Sequence, residues 1–411
     1  KKKKNAFALP RASTFDSSNN KVVIAYQDAD NSNYGTAIVG TVSGTSISFG
    51  SPVVFNSGSV GTMAATFDSN SNKVVIAFTD NQDAAGESVV GTVSGTSISF
   101  GSEVQFESFS IDFPSVTFDS NLNKVVIVYR DAGNLTHGKS IVGTVSGTSI
   151  SYGSAVTFES ASTYYPSIVY DSNSEKVVIA YQDSGNSSKG TAIVGTVSGT
   201  SISFGSTVLF EDANVEELGA AYDSTSQKVV IAYRDAGNSS YGTAIVGTVS
   251  GTSISFGSAS VFESADSRNI FVTFDSNADK VIIAYKDQGN SGYGTFVVGT
   301  VSGTSISFET PTVFNSGSTS AITSTYDANA QKVVISYTDY GNSTYGTAIV
   351  LQPGYTSITR AEVTNSGNAS VDIIGSVSTN QSSLTAGQQY FVQTDGTIST
   401  TAGSPSVLAG T

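Results

Sequence analysis

The sequence predicts an all-β protein: a seven-bladed β-propeller of four-stranded antiparallel blades over residues 1–360, followed by a small C-terminal β-module over 361–411. Three observations predict it. The phrase Lys-Val-(Val/Ile)-Ile-(Ala/Val/Ser)-(Tyr/Phe) begins at Lys21, Lys73, Lys124, Lys176, Lys228, Lys280 and Lys332, at spacings of 52, 51, 52, 52, 52 and 52 residues. A second phrase, Gly-Thr-Val-Ser-Gly-Thr-Ser-Ile-Ser followed by Phe or Tyr, begins at Gly40, Gly91, Gly143, Gly195, Gly247 and Gly299. Helix signals are nearly absent, because β-branched residues, Gly, Ser and Thr fill every window. A fixed period of this length belongs to repeat architectures, in which each unit buries its apolar faces against its neighbours.

Each unit supplies four strands, counted from the axis outward. The first is of the type Thr62-Met-Ala-Ala-Thr-Phe67, closed by the turn Asp68-Ser-Asn-Ser-Asn72. The second, Lys73-Val-Val-Ile-Ala-Phe78, is apolar on both alternating faces and is therefore covered on two sides. A loop such as Asp131-Ala-Gly-Asn-Leu-Thr-His-Gly138 leads to a third strand of the type Thr191-Ala-Ile-Val-Gly-Thr-Val197. The turn Ser198-Gly199 then leads to Thr200-Ser-Ile-Ser-Phe204, whose strict alternation marks the outermost strand, wet on one face. A parallel β-solenoid competes, but its turns run to about 20–30 residues, too short for this period. The seventh copy departs after Val350 into Leu351-Gln-Pro-Gly-Tyr-Thr-Ser-Ile-Thr359, so the ring is expected to shut by packing of the first blade on the seventh, with Asn5–Leu9 as an added edge strand. Beyond Ala361, 371–377 reads as a strand, and 389–393 with 397–400 as a hairpin around a type I′ turn at Thr394-Asp395-Gly396.

Composition narrows the function. The net charge of −14, with only five arginines, argues against nucleic-acid partners and anionic membrane surfaces, which need clustered cations. No run is long enough to insert in a membrane. Cysteine is absent, so no disulfide staples the chain. The Ser, Thr, Gly and Asn bias is common in extracellular and virion β-proteins. Lys1-Lys2-Lys3-Lys4 reads as a tag or a basic tail, and both ends read as cuts from something longer.

The copies differ unevenly. The Val-Ser-Gly-Thr-Ser turn is identical in six copies, and the Asp-Ser-Asn-Ser-Asn turn varies little; both lie on one rim. The opposite rim carries ten-residue inserts of constant length and changing chemistry, such as those over 107–116, 159–168, 211–220 and 263–272. Constant length suggests a fixed backbone displaying a variable surface. Candidate ligand-binding residues there are Phe109, Asp112, Phe113, Tyr164, Tyr165, Glu216, Glu217 and Arg268, joined by Arg130, Arg234 and Lys286 from the variable position after the second-strand aromatic. Loops on a rigid scaffold usually carry binding, and aromatics are enriched at binding surfaces. Drift on exposed loops after duplication gives the same pattern.

Chemical constellations are sparse. Every copy has an Asp after its second strand (Asp28, Asp80, Asp131, Asp183, Asp235, Asp287, Asp339), six followed three residues on by Asn and one by Asp83. Calcium uses such ligands, but Asp and Asn also cap turns, which accounts for a sevenfold recurrence without metal. His137 has no second His or Cys to complete a set. Paired-carboxylate chemistry among Asp112, Glu216 and Glu217 lacks a fixed separation. The expectation is no enzyme, no catalytic residue, no metal and no cofactor. Trp, a preferred sugar-stacking residue, is absent, which weakens a lectin reading while leaving Tyr-based stacking open.

The C-terminal stretch Ser382-Ser-Leu-Thr-Ala-Gly-Gln-Gln-Tyr-Phe-Val-Gln-Thr-Asp-Gly396, ending in Ser404-Pro-Ser-Val-Leu-Ala-Gly-Thr411, resembles a module that ends tail-fibre-like and other structural proteins of marine tailed phages, cyanophages especially. The propeller repeats resemble repeats of such fibre proteins more loosely. The resemblance implies a virion or extracellular location, other virion proteins as partners, and no chemistry. The leading expectation is therefore a virion appendage whose propeller presents a binding face to a host-surface glycan or protein, with homo-oligomer contacts through the C-terminal module. The alternatives are a purely structural capsid or tail decoration protein, and a secreted cellular lectin-like propeller.

Overall fold

The Lys-Val-Val-Ile phrase forms the second strand of each blade. In a computed structural model, which describes residues 8–133, 135–351 and five short strands beyond, the copy at Lys176–Asp183 is buried almost throughout because both of its faces are covered. Blade 4 shows the pattern. Its inner strand, 163–171, pairs with the second strand from Thr163 opposite Asp183 to Asp171 opposite Lys176. The third strand, Lys189–Ser198, lies on the other side of the second, and Ser201–Phe204 folds back on it.

The next segment, Val208–Asp223, does two jobs. Its first half climbs the same third strand, with Val208 opposite Ala192 and Asn214 opposite Lys189. It then bends over the rim and descends as the inner strand of blade 5, with Val215 opposite Asp235 and Asp223 opposite Lys228. The ten-residue inserts expected as rim loops are therefore ladder-paired on both sides of a tight bend. The physical reason is backbone satisfaction: the climbing half bonds one blade and the descending half the next. This also fixes their length, since both ladders hold register.

Inner strands recur at 8–16, 60–68, 111–119, 163–171, 215–223, 267–275 and 319–327, one per repeat. The ring closes by packing. Val22, Ile24 and Ile38 share a core cluster with Val334, Ala348 and Val350, and the Ser13 and Thr323 hydroxyls lie 2.9 Å apart. Ala8 and Leu9 belong to the innermost strand, opposite Asp28 and Gln27, which corrects the edge-strand expectation; Asn5–Phe7 lie outside the described residues. At the other end, Ile358–Glu362 pairs with Tyr345–Leu351 and Val371–Ile374 pairs with it in turn, so one strand runs across the expected 360/361 boundary. Tyr390–Val392 pairs with Ile398–Ser399 and Val407–Gly410; the turn at 394–396 and residues 375–377 lie outside the described residues.

Neighbouring blades meet through aromatics. Phe210 on the outer edge of blade 4 lies 5.3 Å from Tyr233 and 5.8 Å from Phe256 of blade 5, centroid to centroid. Phe55, Phe106, Phe158 and Phe262 repeat that contact. The buried tyrosines also donate to carboxylates across the interface: Tyr129 to Glu107 at 3.1 Å, Tyr181 to Glu159 at 3.0 Å, and Tyr233 to Glu211 and Tyr285 to Glu263 at 2.9 Å.

The uniform rim is uniform for structural reasons. The Oδ1 atom of buried Asp223 accepts from the backbone N–H groups of Thr225 and Ser226 at 3.0 and 2.9 Å, and the six equivalent aspartates do likewise. Glycine after the outer-strand aromatic is forced by the next blade. A Cβ at Gly50, Gly101, Gly153, Gly205 or Gly257 would overlap the backbone carbonyl oxygen in the neighbouring Ser-Gly-Thr turn. The same position in blade 6 is Glu309, and the seventh repeat lacks the Ser-Gly-Thr phrase in its sequence.

Candidate functional site at the axial mouth

Every described inner strand carries a register shift two or three residues from its start. In five consecutive blades the bulged residue adopts a left-handed conformation: Phe113, Tyr165, Glu217, Asn269 and Ala321, each with φ near 50°. These are one repeat position, recurring every 52 residues. A non-glycine residue in this region is uncommon, and its recurrence marks a built feature that re-aims side chains. A cavity of 220 Å³ lies where the bulges meet, lined by Thr62–Met63, Phe113–Pro114, Tyr165–Pro166, Leu218 and Ala321–Ile322. Residues from five blades share one wall only at the axis.

Around this mouth the candidates divide into two patches. In blades 3 and 4 the rings of Phe113 and Tyr165 lie 4.8 Å apart, with Tyr164 6.1 Å from each. Arg130 stands 4.2 Å above the Tyr164 ring and is paired with Asp112 at 2.7 Å. In blades 5 and 6 Arg234 bridges Glu216 at 2.5 Å and Asp266 at 2.6 Å, and Arg268 holds the other oxygen of Asp266 at 3.0 Å. Burial works to raise the Asp266 carboxyl, but the two guanidiniums outweigh it and hold the group below its usual range. Glu217 accepts from the backbone N–H of Asn269 and, at 3.2 Å, from its Nδ2, while the Asn269 Oδ1 accepts from the Ala321 N–H at 3.3 Å. Bulge is thus tied to bulge around the axis. Burial pushes the Glu217 carboxyl up, against the Asn269 bonds and Arg268.

The variable position after the second-strand aromatic plays another part. Gln27 donates to the Val60 carbonyl at 2.6 Å, Thr79 to Ile111 at 2.8 Å, and Gln182 to Val215 at 2.6 Å, each reaching the next blade. Arg130 and Arg234 are the charged versions of this stitch, only 15% and 11% exposed. Lys286 sits opposite Arg268 in register and folds against the Gly292 loop. Phe109, 53% exposed, covers Gly133 at the rim bend, away from the cavity lining. Asp266 and Asn269 were not singled out from the sequence; the 52-residue spacing, applied inside the inserts, is the signal that finds Asn269. The loop aspartates cap their own turns, as at Asp183, Asp235 and Asp287, which accept from Asn186, Asn238 and Asn290 N–H at 3.1, 3.0 and 3.1 Å.

No protein-family model and no curated protein matches the chain. Solved structures do. The fold is similar to that of the BP39L lectin from Burkholderia pseudomallei, with a TM-score of 0.62 at 8% identity over 90% of this chain and 99% of that one. It is similar to the periplasmic gluconolactonase PpgL of Pseudomonas aeruginosa, with a TM-score of 0.55 at 12% identity over 75% of this chain and 86% of that one. A Lactobacillus plantarum protein gives a TM-score of 0.54 at 13% identity, covering 74% and 84%. The gluconolactonase corrects the expectation that the chain is not an enzyme: an enzyme has this fold, so the architecture does not exclude catalysis. Identities this low speak to fold alone, and the fold is a β-propeller.

Proposed function

We propose that this chain is a carbohydrate-binding propeller, with its site at the axial mouth on the variable end. The observation that carries the reading is the Phe113–Tyr165 pair on the cavity wall, with Glu217 at the same repeat position one blade on. An aromatic face packs against the C–H face of a sugar ring, and a carboxylate accepts from its hydroxyls. Few polar groups on an apolar wall is the usual make-up of a small-molecule site. At 220 Å³ the cavity is smaller than the roughly 300–1,000 Å³ typical of drug-sized ligands, which suits one sugar ring. The lectin among the similar folds supports the same reading.

The test is a glycan array followed by calorimetry on the best ligand. Phe113→Ala and Tyr165→Ala keep the bulge, since Ala321 already holds it at φ 49° in blade 7. Binding is expected to fall at least about tenfold in each, roughly 1.4 kcal/mol, and to survive Phe109→Ala. Unchanged affinity in the two axial variants refutes the site. A second reading, a virion appendage displaying this propeller to a host-surface glycan, rests on the C-terminal resemblance; antibody labelling of phage particles from the source tests it, and label absent from every particle refutes it.

A further inference from the structure

Around the loop after its second strand, blade 2 carries three substitutions that add negative charge. The 51-residue spacing arises in the loop from Asp80 to Gly86, one residue shorter than Asp28 to Gly35 or Asp131 to Gly138. Within it Asp83 replaces the Asn of the other six copies. Glu87 stands where five copies have Thr (Thr36, Thr191, Thr243, Thr295, Thr347) and blade 3 has Lys139. Glu103, nearby, replaces Pro, Ala or Thr.

The fold brings the added acids together. One carboxylate oxygen each from Asp80, Asp83 and Glu87 lie within 4.8 Å of one another. Asp80 and Glu87 are only 4% and 9% exposed, and among the described residues no Lys or Arg pairs with any of the three. Asp80 is held in place: it accepts from Asn56 Nδ2 at 2.9 Å and from the Gln82 and Asp83 N–H groups at 2.7 and 3.1 Å. The buried Oε2 of Glu87 finds no donor, and the Glu87 carboxyl lies within hydrogen-bonding reach of the Glu103 carboxyl, a fourth acid at the pocket. Burial first, and then Glu103, Asp80 and Asp83, push this carboxyl up to about 7. A buried carboxylate crowded by other acids and without a cation is costly, and natural structures pair such a group or give it to a metal.

Blade 3 shows what the same spot accepts. Lys139 lies opposite Tyr129 as Glu87 lies opposite Phe78, and its Nζ sits 2.5 Å from Asp131 and 3.0 Å from Glu107. One blade fills the position with its own cation; its neighbour places a third carboxylate there. We infer that the Asp80–Asp83–Glu87 pocket of blade 2 binds a divalent cation of the calcium type. Three hard carboxylate oxygens suit calcium, with remaining positions open to water. One ligand, Asp83, is exposed, so the affinity belongs with extracellular-module sites, a Kd of about 10⁻⁴–10⁻³ M. The pocket shares no residue with the axial cavity and stands independently of the carbohydrate reading.

The full chain, stripped with EDTA, is titrated with CaCl₂ by calorimetry and melted with and without it. One calcium per chain and a higher melting temperature are expected. Glu87→Thr and Asp83→Asn restore residues the other blades carry, so they are expected to fold, and each should weaken binding about tenfold or more. Glu87→Lys copies blade 3 and should abolish binding while raising the melting temperature in EDTA. Neither heat nor a melting shift at about 10 mM CaCl₂, well above that Kd range, overturns the proposal. So does undiminished binding in Glu87→Thr, and binding of MgCl₂ in preference to CaCl₂ overturns the calcium assignment.

Discussion

Replacing Tyr285 by Phe removes one hydroxyl from the interface of blades 5 and 6. Tyr285 is fully buried, and that hydroxyl donates to Glu263 Oε2 at 2.9 Å. Burial raises the Glu263 carboxyl, and the Tyr285 hydrogen bond does most to hold it down. A hydrogen bond to a charged acceptor contributes about 1.5–3 kcal/mol; Glu263 is only half-buried and water can replace part of it, so about 1.5 kcal/mol is expected for Tyr285→Phe. Glu263→Asn alone strands a buried phenol and costs about 1–3 kcal/mol. The double variant, however, reproduces a pair the protein already uses: in blade 2 the residues are Phe78 and Asn56, and Asn56 Nδ2 donates to Asp80 at 2.9 Å. Asp287 occupies the Asp80 position in blade 6. The double variant should therefore lose less than the sum of the singles, with a coupling of about 1–2 kcal/mol. Thermal melting of the four proteins reads it, at about 1–2 °C per kcal/mol for a chain of this size. Additivity within about 0.5 kcal/mol refutes the pairing.

Other expectations follow from the same contacts. Gly205→Ala drives a methyl into the Thr252 carbonyl and should cost about 1–3 kcal/mol, whereas Glu309→Ala, at the equivalent exposed position, should stay within about 0.5 kcal/mol; equal melting shifts for the two refute the glycine argument. Asp223→Ala leaves two turn N–H groups without their acceptor and should cost about 1–3 kcal/mol in urea unfolding, against a smaller loss for Asp223→Asn, and no loss contradicts the cap. Burial first, and a carboxylate neighbour, raise Tyr233 and Tyr285 far above 10 and push Tyr170 and Tyr222 to about 12. With folded values above the unfolded one, the stability they contribute is present below pH about 10 and lost as pH rises through the folded values. Phenolate absorbance, unobscured since Trp is absent, should therefore include a late step that coincides with unfolding, and the absence of such a step contradicts it.

Much of the fold was legible because the period and the strand patterns agree. The two-faced apolar Lys-Val-Val-Ile strand, the alternating Ser-Ile-Ser strand and the Asp-capped turns each sit where their chemistry places them. The inserts were not legible as strands: their side chains follow no period of two, since one half faces one blade and the other half the next. Arg130 and Arg234 read as binding residues because they vary, yet what varies is the stitch between blades, with Gln27, Thr79 and Gln182 as its neutral forms. The bulge ring was hidden because a left-handed Phe113 or Tyr165 carries no sequence mark such as glycine. Its only trace is the 52-residue step from Phe113 to Ala321, and it shows only when the inserts are aligned on one another.

The most direct measurement is a crystal structure of the full chain with the strongest glycan from the array. A sugar ring lying against Phe113 and Tyr165 in the axial mouth, with a hydroxyl turned to Glu217, is the predicted result. A glycan held between blades at the periphery, with Phe113 and Tyr165 untouched, would contradict it.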